Sequence, residues 1–357
     1  MKILYLLTHI CNYLVNIVVV IYIALSFLPM VSVTGSTRDT VQVIKENIQK
    51  SFPATVPAGN YSGIAYIGNN EYVVVDDKSK TDGFHLFTIE LDSVSGEIRH
   101  VVNHGFNSSG FQNCDGEGIA YVPSAKTVLI SSEADGKIKE YTIEGVVTGR
   151  EAMVPDVFNN VTPNMGFEAL GYSDVTHRLW TCNESTLNGD GQCANPYNKV
   201  RNRLRIQSFD DSLQAREQYV YLMDAPIATG KATNYAMGVA AITAMADGSL
   251  LLLEREFFVS PLKVGSFVNC KLYQAWPEKS VAADADITRD DIPLMDKHLI
   301  TEWKTTLNVF KHAMANYEGM CMGPKLSDGS RVLVLVADSQ NQYAGVLKDW
   351  FKTIVIR

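Results

Sequence analysis

Carboxylates recur in this chain at a spacing that would gather them. A small residue followed by apolar residues appears five times: Ser62-Gly63-Ile64-Ala65, Glu117-Gly118-Ile119-Ala120, Glu168-Ala169-Leu170-Gly171, Met237-Gly238-Val239-Ala240 and Glu318-Gly319-Met320-Cys321. Each copy precedes a second apolar run that stops on an acid: Val73 to Asp76, Val128 to Glu133, Leu179 to Glu184, Leu251 to Glu254 and Val334 to Asp338. If the two runs are antiparallel neighbours, the start of the first and the end of the second lie together. Asp76, Glu117, Glu133, Glu168, Glu184, Glu254, Glu318 and Asp338 should then converge. Several carboxylates cannot share a poorly solvated site while all are ionised and unpaired. Their pKa values rise, or cations neutralise them.

A hard divalent cation suits such oxygen donors, so calcium is the expected cofactor, with magnesium as the alternative. Glu117, Glu168, Glu318 and Asp338 are the expected ligands. A metal held this way polarises an ester and supplies hydroxide at neutral pH. Glu117, Glu168, Glu254 and Glu318 are therefore candidate catalytic carboxylates, any of which fits the role of general base. Arg255 adjoins Glu254 and would stabilise developing charge, and Lys311 precedes Glu318. Arg201, Arg203 and Arg205 alternate, so in a strand they share a face. Arg203 and Arg205, with Lys311, are the candidate substrate-binding cations, because guanidinium grips phosphate in bidentate fashion. The histidines lack ligand spacing; His312, nearest a repeat acid, is a candidate proton shuttle.

The elements that must position these residues are short strands. Gly68-Asn69-Asn70, Pro123-Ser124-Ala125, Ser173-Asp174, Asp247-Gly248 and Asp328-Gly329 separate the two runs with tight-turn chemistry. Third runs follow at 85–91, 137–143, 204–209, 272–276 and 351–356, and fourth runs at 98–102, 152–158, 219–223 and 299–303. Four antiparallel strands per unit of about 50 residues is the pattern of a β-propeller blade. The expected fold is all-β, with five visible four-stranded blades. Segments 185–202 and 278–296 read as insertions, and a sixth, degenerate blade there is the alternative count. The last unit lacks a fourth strand, which Val41-Gln42-Val43-Ile44 supplies from the other terminus, closing the ring. A pair of sandwiches or a solenoid explains the repeat length and this complementation less well.

Composition narrows the function. The chain has 357 residues, 46% apolar, with a net charge of −8. The apolar fraction supports a large core, and the acidic balance argues against nucleic acid as a partner. After Lys2 no charge appears until Arg38, and the stretch between is largely apolar. Residues 1–35 read as a signal peptide, or as a retained membrane anchor given their length, with the folded part at 36–357. The protein is thus expected to be exported: secreted, periplasmic or envelope-anchored, touching membrane only if the leader is uncleaved. A monomer is expected. In that setting Cys182 and Cys193, which bracket an Asn/Gly-rich segment, form a candidate disulfide. The sequence has no GxSxG elbow, Walker A loop, GxGxxG or HExxH.

An ordered set of motifs resembles the phytase-like domain family, also described as having esterase-like activity of phytase. The set comprises Asp115-Gly116-Glu117-Gly118-Ile119-Ala120, Asn164-Met165-Gly166-Phe167-Glu168-Ala169-Leu170, Leu252-Leu253-Glu254-Arg255, Asn316-Tyr317-Glu318-Gly319-Met320 and Val336-Ala337-Asp338-Ser339, and the resemblance runs from about Gly59 to the C-terminus. It implies an exported protein and hydrolysis of esters or phosphoesters, with Glu117, Glu168, Glu254, Glu318 and Asp338 as the recurring acids. Ser62 and Met237 stand where the other repeats carry Glu, so the ring is asymmetric. Two functions follow. One is an exported metal-dependent hydrolase acting on a small-molecule phosphoester or ester, a lactonase-type ester hydrolase being a variant of it. The other is a non-catalytic propeller that binds a carbohydrate, peptide or surface partner around a structural metal.

Overall fold

The repeated small residue marks the innermost strand of each blade. In the computed structural model, which describes residues 38–307 and 312–357, twenty strands form five sheets of four antiparallel strands. The first blade holds β2 (Tyr61–Gly68), β3 (Glu71–Asp76), β4 (Thr81–Leu91) and β5 (Ile98–Gln112). The second holds β6 (Gly116–Val122), β7 (Thr127–Ser132), β8 (Ile138–Thr142) and β9 (Val147–Glu151), and the third β10 (Phe167–Ser173), β11 (Arg178–Asn183), β12 (Arg203–Phe209) and β13 (Ala215–Leu222). The fourth holds β14 (Asn234–Ala244), β15 (Leu250–Val259), β16 (Phe267–Trp276) and β17 (Asp296–Thr306). The fifth runs β18 (Asn316–Lys325), β19 (Arg331–Asp338), β20 (Phe351–Ile356) and then β1 (Val43–Glu46) from the start of the described chain. This is a five-bladed propeller closed by strands from both ends, as the repeat implies. No sixth sheet forms among the described residues; 185–202 is a connecting segment, as is 278–295, β17 starting at Asp296.

Hydrophobic burial is concentrated between blades. Val74, Phe87 and Ile89 of the first blade pack with Val332, Val334 and Phe351 of the fifth. The small repeat residues allow innermost strands to approach one another. A Cβ on Gly63 would meet the Glu117 carbonyl oxygen at 2.3 Å, and one on Gly118 the Glu168 carbonyl oxygen at 2.8 Å. Backbone cannot yield as a flexible side chain would, so these contacts exclude larger residues.

Several details differ from the sequence reading. The fourth strand of the second blade is Val147–Glu151, not 152–158. The chain turns back at once through Gly145 (φ 89°), and Pro155 then leads into a short 3-10 turn that buries Phe158. The Cys182–Cys193 bridge is not formed. Cys182 is held between the third and fourth blades with Trp180, Met237 and Leu252, whereas Cys193 Sγ faces the Thr186 carbonyl oxygen at 3.5 Å. The leader, residues 1–35, and Lys311 lie outside the described residues.

Candidate functional site

A β-bulge gives each blade its inward-facing position. Pairing of the first two strands slips between Tyr61 and Gly63, Gly116 and Ile119, Phe167 and Ala169, Val239 and Ala241, and Tyr317 and Gly319. The residues left in the slip include Ser62, Glu117, Glu168, Ala240 and Glu318. A bulge bends its strand and re-aims a side chain. The fourth repeat is therefore centred on Ala240-Ala241, three residues beyond the expected Met237-Gly238. Opposite the bulges, Asp77, Glu133, Glu184, Arg255 and Asp338 each follow the partner of the residue before the slip; the second strand ends at that point or one residue earlier in four blades, whereas in the fourth the ladder continues to Val259. Acids thus occupy most positions of two tiers at one mouth, and Arg255 stands where the fourth blade would carry its exit acid.

Arg255 ties the tiers together. One terminal nitrogen donates to Glu184, and the other donates to Glu318 and, at 2.9 Å, to Asn316 Oδ1. Asn316 Nδ2 donates to Glu318 Oε1 at 2.8 Å. Between the first and second blades, oxygens of Asp77, Asp115 and Glu117 lie within 4.8 Å of one another. Lys78 Nζ approaches Asp115 at 2.5 Å and Asp77 at 2.7 Å from the solvent side. Glu133 accepts a bond from the Gly166 amide at 2.7 Å.

The tiers rest on an apolar floor. Ile64, Ile119, Leu170, Ile242 and Met320, one per blade, are all buried in the channel. Water is scarce above them, and the electrostatics follow. Burial raises Glu117 and Glu168 well above the usual carboxylate range, and neighbouring acids add to it: Glu168 and Asp77 for the first, Glu184 and Glu318 for the second. Asp338 is pushed up by burial and by Glu318. Burial raises Asp77 to about 6 against the pull of Lys78, and Glu318 to about 7 against that of Arg255. Burial opposes the Arg255 charge, but Glu318, Glu184 and Glu168 outweigh it and raise its pKa.

These shifts fix a pH dependence. A carboxyl with a raised folded-state pKa binds more protons folded than unfolded, so its contribution is present at low pH and is lost as pH rises through the folded value. For Glu318 the window runs from its ordinary 4.5 to about 7. The metal-free protein should therefore melt at progressively lower temperature from pH 5 to pH 8, and calcium should reverse much of that loss at pH 8. Thermal melts in chelator and in calcium check this; a melting temperature that rises with pH in chelator would contradict it.

Of the sequence candidates, Glu117, Glu168, Glu318, Asp338 and Arg255 meet at this mouth. Glu254 does not. It takes bonds from Tyr221 Oη (2.7 Å) and Lys297 Nζ (2.6 Å) in a network with Asp224. Successive strand residues point to opposite faces, so Arg255 turns inward and Glu254 away. Asp76 likewise faces His85, with Asp77 in the tier. Arg205 is buried in a bidentate pair with Asp190 (2.6 Å to each oxygen), and Arg203 donates to the carbonyls of Ile287 and Arg289. Both are tied to the 278–295 segment, Arg205 with its whole buried guanidinium engaged and Arg203 through one terminal nitrogen. His312 is half-buried in an isolated bridge to Leu307. Sequence reasoning missed Asp77, Asp115, Lys78 and Asn316. The signal for two of them was present: Asp115 and Asn316 stand two residues before Glu117 and Glu318.

Residues 56–340 match the family Phytase-like, described as esterase-like activity of phytase. No curated protein matches the sequence. Among solved structures, the chain is similar to an endo-arabinase from Bacteroides thetaiotaomicron (12% identity, 85% of this chain and 97% of that one, TM-score 0.42). It is also similar to a streptogramin B lyase (13%, 87% and 98%, TM-score 0.37) and to a calcium-binding protein, regucalcin, from Agrobacterium tumefaciens (11%, 84% and 92%, TM-score 0.37).

Proposed function

The chain belongs to the Phytase-like family, and from that premise we propose that it is an exported, metal-dependent hydrolase of phosphate esters or related small-molecule esters, working at the carboxylate-lined mouth. The observation that carries the reading is the two-tier set of acids above an apolar floor. Their chemistry fits a hard divalent cation: the donors are carboxylate oxygens, and those of Asp77, Asp115 and Glu117 are already gathered. Glu168, Glu318 and Asp338 extend the donor set around the mouth. Bound there, a divalent cation such as calcium polarises a phosphoryl or acyl oxygen and lowers the pKa of water.

The side chains divide the remaining work. Glu318, which burial raises to about 7 in the metal-free site, is our candidate to accept a proton from an attacking water through its second carboxylate oxygen, the first being taken by Arg255 and Asn316. Arg255 fixes Glu318 and Glu184 in place. Its Nε–H is buried without an acceptor among the described residues. The apolar floor keeps bulk water from entering from below.

Lys78 and Arg255 already neutralise part of the ring, and that favours the second reading, a non-catalytic propeller with a structural metal that binds a carbohydrate, peptide or surface partner. One assay separates the two. Phosphate release from a panel of phosphomonoesters, phytate included, and diesters is measured with calcium and with chelator. Chelator-sensitive turnover supports the hydrolase. Absence of turnover on every ester, with calcium still raising the melting temperature, supports the binding module.

A further inference from the structure

The opposite end of the channel has a different chemistry. Two residues beyond the buried floor, the innermost strands carry Tyr66, Tyr121, Tyr172, Ala244 and Met322. Three consecutive blades thus present tyrosine, and the fourth presents a small residue that leaves room beside them. Together they border a cavity of about 440 Å³. That volume matches a small-molecule site and accommodates a mono- or disaccharide. The three rings are half-buried, and two of them are held by a neighbour. Tyr66 packs on Tyr72 with centroids 4.9 Å apart, and the Tyr172 hydroxyl donates to Asp211 Oδ1 at 2.8 Å. Aromatic walls fixed in this way lose little freedom on binding.

The rim selects the class of ligand. Asp174, Asp247 and Arg331 line it beside the phenols. An organic cation would meet Arg331, and an anion would meet two carboxylates. A neutral ring bearing hydroxyls gives donors to the carboxylates and acceptors to the guanidinium, and it lays its C–H surface against tyrosine. We propose that the Tyr66/Tyr121/Tyr172 mouth is a second binding site, for a neutral saccharide. The apolar floor separates it from the carboxylates, so it stands whether or not the other mouth is catalytic.

Saturation-transfer NMR on the full-length chain tests this, with glucose, N-acetylglucosamine, cellobiose and tetramethylammonium chloride as probes. At least one saccharide should show transfer, equally with calcium or chelator. Ala244→Trp, which fills the cavity, and Asp174→Ala, at an exposed rim position less prone to disturb folding, should each weaken it about tenfold or more. Transfer to no saccharide, transfer to tetramethylammonium alone, or saccharide transfer that persists in a folded Ala244→Trp and in Asp174→Ala would each overturn the proposal.

Discussion

Glu318→Gln should lose phosphate release by about 100-fold or more while the propeller stays folded. The substitution keeps the shape of the side chain and its capacity to accept from Asn316 Nδ2 and Arg255. It removes one negative charge from a buried cluster in which Glu318 raises the pKa of Glu117, Glu168 and Asp338. Relief of that repulsion should hold or raise the melting temperature of the metal-free protein, and it should reduce the stabilisation that calcium provides. Turnover and thermal melts on one preparation read both effects. Turnover within a few-fold of the parent would remove Glu318 from the chemistry. A parallel collapse of turnover and melting temperature would make its role architectural.

Arg255→Met should destabilise the metal-free protein by about 3 kcal/mol or more, because truncating one partner strands buried charge on the others. The guanidinium is 4% exposed and serves Glu184, Glu318 and Asn316 together. Without it, Glu318 should hold its proton to a still higher pH. The loss should accordingly be greater at pH 8 than at pH 5, where protonation removes the stranded charge, and calcium should recover part of it. Denaturant melts at the two pH values in chelator measure this. An equal loss at both pH values would mean that Arg255 acts by packing alone. Lysine should rescue poorly, since one ammonium cannot replace two donor branches reaching different carboxylates.

The fold was legible because each blade repeats the same physical problem. A residue without a bulky side chain must stand where innermost strands touch, so Gly63, Gly118, Ala169 and Gly319 marked the blades. In the fourth blade the innermost hairpin is longer, and Gly238 offered a false centre. Gly238 is small for its own reason: a Cβ there would meet the Glu184 carbonyl oxygen at 2.1 Å. The site was legible to within one residue. Acids at strand ends were found, but the pleat decides which of two neighbours turns inward, and that needs the ladder register. Hence Glu254 was placed in the ring where only Arg255 belongs, and Asp76 was read for Asp77. The arginine row was read on the right element. Its partners, Asp190 and the 283–289 backbone, lie in connecting segments whose paths leave no periodic trace.

The closing strand pair has a kinetic consequence. Four blades draw all their strands from contiguous chain, whereas the fifth waits for β1 to meet β20, with Val43 opposite Ile356. Loop-closure entropy over some 300 residues must be overcome before that contact repays it, which makes the seam the slow, late event of assembly. The seam also carries polar ties. Asn47 donates to Thr353 Oγ1 and the Ser95 carbonyl, Lys352 Nζ lies 3.1 Å from Glu46, and Thr353 donates to the Gly96 carbonyl. A propeller clasped in this way yields first at one place, and unfolding should begin by peeling β1 while the four contiguous blades still hold.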